Sequence, residues 1–118
     1  MTSIPTTHEA VGQLTAGGPV TSFRMPTPRP ENDQVLVHVQ WVAGTPVAVW
    51  SVDFQLTNPA YPYVIGENIV GEVVAIGDGV DHVKVGDKIL AFSFTEESYG
   101  RASQEYALLS MWSVGKVC

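Results

Sequence analysis

An all-β fold, a barrel or sandwich of seven or eight short strands with a brief helical turn, is the class this sequence predicts. Three observations carry it. Short runs alternate apolar and polar residues with the period of two that a half-buried strand requires. Clusters of glycine and proline separate those runs. One stretch only, Thr45 to Leu56, places residues at helical spacing (Val49, Trp50, Asp53 and Phe54), behind a Thr45-Pro46 that suits a first turn. That stretch is ambiguous between helix and strand. At 118 residues the chain reads as a single domain, 1–118, long enough to bury roughly two thirds of its unfolded surface.

In chain order, His8 to Leu14 and Val20 to Met25 flank Gly17-Gly18-Pro19 and read as a hairpin. Pro26 to Pro30 (PTPRP) has three prolines in five residues, which neither a helix nor a central strand tolerates. It is an extended connector. Past the polar turn 31–34, VLVHVQWVAG is the clearest strand. Its alternation places Val35, Val37, Val39 and Trp41 on one face, and Leu36, His38, Gln40 and Val42 on the other. Asn58-Pro59 and Tyr61-Pro62 force a loop. Ile69 to Ile76 is a nearly unbroken apolar strand, ended by Gly77-Asp78-Gly79. Gly86-Asp87 is a second turn, and Lys88 to Phe94 the next strand. Thr95 to Ala102 reads as a loop, and Gln104 to Leu109 and Trp112 to Val117 close the chain as strands.

Composition narrows the function. Six basic against 12 acidic residues give a net charge of −6, which repels nucleic-acid backbones and anionic lipid. No basic leader, 18-residue apolar run or N-x-Ser/Thr sequon is present, so the expectation is a cytoplasmic protein without membrane or nucleic-acid partners. The one cysteine, Cys118, excludes an internal disulfide and any CxxC metal knuckle. His8, His38 and His82 are scattered, without metal-ligand spacing. Gly77 and Gly79 suggest a dinucleotide cradle, but position 82 is histidine and a strand, not a helix, follows. These glycines make a turn. Glu67 lies between Val64-Ile65 and Ile69-Val70, an apolar setting that suggests burial. It and Asn68 either anchor neighbouring loop amides or shape a site, and Asp53 has the same two readings.

Two longer stretches carry a family resemblance. PTPRPENDQVLVHVQWVAG resembles the lead and first long strand of the medium-chain dehydrogenase/reductase superfamily, and YPYVIGENIVGEVVAIGDGVDHVKVGDKI resembles its glycine-rich signature. The resemblance implies a GroES-like, partly open β-barrel with one or two short helical turns, the Rossmann domain being absent. Zinc-dependent members carry a cysteine ahead of the aspartate matching Asp53, and a Gly-His-Glu at the central motif. Here those positions are Trp50 and Gly66-Glu67-Asn68. The chain is therefore similar to the zinc-independent quinone and enoyl reductases, including fungal trans-acting enoyl reductases. Of the Asn-Pro-x-Asp many of those carry, Trp50-Ser51-Val52-Asp53 keeps only Asp53.

The resemblance implies a cleft lined by Trp50, Asp53, Tyr63, Glu67 and Asn68, with Trp50 and Tyr63 as apolar wall and Glu67 or Asp53 orienting polar groups. It implies NADPH and a small-molecule substrate for a full-length relative. Relatives continue past the point matching Cys118 into the cofactor domain. The expectation is a stand-alone or truncated substrate-side domain, inactive alone, with no cofactor, metal or certain catalytic residue of its own. The rival expectation is a protein-binding or self-associating module that keeps the barrel and exposes an apolar patch including Trp112, Val114 and Val117.

Overall fold

The structure, a computed structural model, describes residues 4–43, 61–92 and 98–117. The ambiguous stretch Thr45 to Leu56, with Trp50 and Asp53, lies outside them. Strands dominate, as the period-two runs predicted. β1 (Thr7–Gln13) and β2 (Val20–Pro26) form the hairpin, paired from Thr7↔Pro26 to Gln13↔Val20. β3 (Gln34–Ala43), β4 (Tyr63–Val64), β5 (Asn68–Ile76), β6 (Lys88–Phe92), β7 (Tyr106–Ser110) and β8 (Val114–Lys116) follow. Two 3-10 turns, Ser98–Gly100 and Met111–Ser113, precede β7 and β8.

The strands make a three-stranded sheet, β2-β1-β4, and a five-stranded one, β7-β3-β5-β6-β8, with every pairing antiparallel. A seam joins them. Residues 103–105 run between β1 and β3: Val11 N–H donates to the Ser103 carbonyl at 2.8 Å, Glu105 N–H to Glu9 at 3.0 Å, and Val39 N–H to Glu105 at 2.8 Å. These bonds tie β1 to β3 through the 103–105 segment, and the two sheets do not close into a barrel. Val35, Val37, Ile69, Val73, Ile89, Leu109 and Val114 fill the larger core, and Ala10, Met25 and Val64 a smaller one under the hairpin.

The glycine turns behave as turns. Gly77 N–H donates to Gln34 C=O and Asp33 N–H to Asp78 C=O, both at 2.8 Å, and Gly79 takes φ +88°. β6, not a helix, follows.

Three expectations need correcting. Trp41 is not on the core face with Val35, Val37 and Val39. Val39 pairs with Gly71 and Trp41 with Val70, leaving Gln40 as the extra residue of a bulge. A bulge reverses the alternation beyond it, and Trp41 stands 74% exposed. Trp112 belongs to a 3-10 turn, where the Ser110 hydroxyl accepts from its N–H, and not to a strand. Val114 is buried in the core; of the patch expected at the chain's end, only Trp112 and Val117 are exposed.

Candidate functional site

The central motif turns at Gly66. Its φ of +96° is a conformation that side chains disfavour, and an added Cβ would press on Ala102 at 3.0 Å and Ser103 Oγ at 3.3 Å. The segment Ile65-Gly66, just past β4, therefore crosses close over residues 102–103. Ala102 N–H donates to Gly66 C=O at 3.1 Å, and Ser103 N–H to Ile65 C=O at 2.9 Å. The crossing drives Glu67 inward, to 1% exposure.

Its counter-ion is Arg101, buried beside it, with Nη2 at 3.0 Å from Glu67 Oε1. The same nitrogen donates to the Tyr63 hydroxyl at 2.7 Å, and Nε to the Val64 carbonyl at 3.1 Å. The guanidinium also lies 5.0 Å from the Tyr63 ring centroid, within cation–π range. A planar fork reaching a carboxylate, a phenol and a carbonyl together uses geometry that a lysine does not offer.

The main chain of Arg101 is held too. The Gln104 amide donates to Arg101 C=O at 2.8 Å and to Tyr99 C=O at 3.2 Å. That turns its oxygen to His8, which donates from Nε2 at 2.8 Å. The Thr27 hydroxyl lies 2.9 Å from Nδ1 and donates to it in the neutral ring. His8, read from sequence as lacking metal-ligand spacing, sits in a hydrogen-bond network with an edge-on ring contact to Tyr106, and His38 lies tilted against that same tyrosine at 5.1 Å.

Of the five cleft residues expected, Tyr63, Glu67 and Asn68 fall within the described residues, and Arg101 links the first two. Tyr63 and Glu67 are buried; Asn68 opens β5, half-buried. Sequence reasoning missed Arg101. Its one signal was to be the sole basic residue between positions 89 and 115, in a loop that otherwise read as polar connector. Among the described residues, no group of three or more His, Cys, Asp or Glu is placed to hold a metal, and no helix is long and apolar enough to cross a membrane. Beside the motif a groove of about 540 Å³ runs over Val11, Val39 and Val42, with Ser103, Glu9 and Glu105 among its polar lining. Its floor suits an apolar body, and its two carboxylates oppose an anion.

Known proteins share this architecture. The chain is 32% identical over 113 residues to the dehydrogenase pigH of Monascus ruber, covering 87% of this chain and 30% of the relative. It is 32% identical over 109 residues to the trans-enoyl reductase tazE of Aspergillus terreus (86% and 36%). Over 82 residues it is 33% identical to the quinone oxidoreductase of Rattus norvegicus (69% and 24%). The chain thus spans about a third or less of the length of these relatives. Among solved structures, the fold matches a putative alcohol dehydrogenase of Sinorhizobium meliloti with TM-score 0.87 at 13% identity, over 97% of this chain and 40% of that one. It matches a mycobacterial protein complexed with NADPH with TM-score 0.76 at 23% identity, over 94% and 32%. Residues 31–117 match the alcohol dehydrogenase GroES-like domain, and with the open two-sheet barrel and its glycine turns in place, the chain belongs to that family.

Proposed function

We propose that this chain is the substrate-side domain of a zinc-independent, NADPH-dependent enoyl or quinone reductase-like oxidoreductase, and that alone it transfers no hydride. The buried Glu67–Arg101 pair carries the reading. At the position where zinc-binding members of the superfamily place an imidazole, this chain has a carboxylate whose Oε1 is held at 3.0 Å by a guanidinium. A metal there would have to displace that cation. In a full-length enzyme, Trp50, Asp53 and Asn68 would face the substrate. Tyr63 and Glu67, buried here, would shape that wall from behind. The nicotinamide would supply the hydride, held in near-attack geometry by a second domain. Glu9 and Glu105 beside the groove favour this division, since carboxylates repel a pyrophosphate.

NADPH titration followed by nucleotide fluorescence, with turnover of a quinone and an enoyl thioester, tests the reading. No saturable change and no turnover are expected; a micromolar isotherm would sink it.

A second reading, a protein-binding or self-associating module, has one observation in its favour. Trp41, Leu90 and Phe92 are 74%, 56% and 57% exposed on the five-stranded sheet, more apolar surface than a solvated sheet face usually shows.

A further inference from the structure

Register places Trp41 opposite Val70, Val70 opposite Leu90, and Leu90 opposite Gly115. The four residues form one row across β3, β5, β6 and β8, and directly opposed residues share a face. The alternate positions Ile69, Ile89 and Val114 fill the core, so the row faces outward. Two residues along β5 and β6, on the same face, Glu72 pairs with Lys88, with Nζ 3.3 Å from Oε1.

This face is complementary to itself. A two-fold axis lying along the strands between β5 and β6 seats β6 over the second copy's β5, and β3 over its β8. Leu90 then covers Val70, Lys88 meets Glu72, and the Trp41 indole lies over Gly115, the one position in the row without a side chain. The described residues give no steric reason for that glycine. Among them, a Cβ at Gly115 would meet nothing closer than the Leu90 carbonyl oxygen at 3.8 Å, and its φ is not among the positive ones. Glycine inside a strand weakens it, and often marks the close approach of another group. A second copy's indole is such a group.

We propose that the outer face of β3, β5, β6 and β8 forms a face-to-face dimer of this chain, two sheets stacked with aligned strands about a two-fold axis. The proposal rests on the self-association reading and assigns it a surface. Four strands about 4.8 Å apart, engaged over about five residues, cover on the order of 250 Å² of sheet. That is well below the roughly 800 Å² per partner of a standard interface. An interface of that size makes a weak, transient dimer.

Sedimentation velocity from about 5 µM to 1 mM tests it on the wild type, Trp41→Ala and Gly115→Leu, each checked for a wild-type circular-dichroism melt. The wild type should move from monomer toward twice the monomer mass, and each variant should weaken association at least tenfold. Dimerisation unchanged in both variants overturns the assigned face while leaving self-association standing. A monomer at every concentration overturns both.

Discussion

Replacing Arg101 with methionine keeps a long apolar stem and deletes the guanidinium. Lost with it are the bonds to Glu67 Oε1 at 3.0 Å, the Tyr63 hydroxyl at 2.7 Å and the Val64 carbonyl at 3.1 Å. The side chains of Arg101 and Glu67 are 5% and 2% exposed, so little solvent reaches the carboxylate left behind. Removing one partner of such a pair costs about 3–5 kcal/mol, most of it the penalty on the remaining charge. With a urea slope of about 1.5 kcal/mol/M, the unfolding midpoint should fall by about 2–3 M, a large share of the roughly 5–15 kcal/mol that holds a domain together. Glu67→Gln in the same background removes the remaining carboxylate charge and should restore more than half of that loss, about 2–3 kcal/mol. Urea unfolding of the wild type, both single variants and the double variant, at concentrations where the chain is monomeric, completes the cycle. If Arg101→Met costs under about 1 kcal/mol, or the two effects add to within about 0.5 kcal/mol, the ion pair is not the anchor of this motif.

Gly71→Ala should lower stability by about 1–3 kcal/mol in thermal melts, because the new Cβ would overlap the His38 carbonyl and lie 2.6 Å from Val37 Cγ1. Leu36→Ala should cost about 2–5 kcal/mol by urea unfolding, since Leu36 is fully buried. Trp41→Ala, measured at low micromolar concentration, should stay within about 0.5 kcal/mol. A loss of about 3–5 kcal/mol there would instead return the indole to the core face that simple alternation assigns it.

Much of the fold was legible because its causes are local. Pro26, Pro28 and Pro30 exclude regular hydrogen bonding wherever they stand. Gly79 and Gly86 adopt positive φ, a freedom written into the residue type. Alternating valines around β3 and β5 suffice to specify strands. The family resemblance extended this, since the spacing of those glycines records the order of the turns. Glu67's burial was legible too, from its apolar neighbours. Its partner was not. Arg101 lies 34 residues away along the chain, and no local pattern separates a guanidinium folded under a strand from one on a polar loop.

The bulge at Gln40 has the same character. Residue by residue, the run Val35 to Val42 alternates without a break, and only pairing with Gly71 and Val70 puts two residues against one. Composition and spacing by themselves determined an all-β domain and its turns, and the resemblance of its motifs supplied the kinship. Tertiary pairing decided which side of the sheet Trp41 occupies and which cation neutralises Glu67. The physical reason is range. Turn chemistry and strand period act over a few residues, whereas strand register and the pairing of buried charges exist only once distant segments meet.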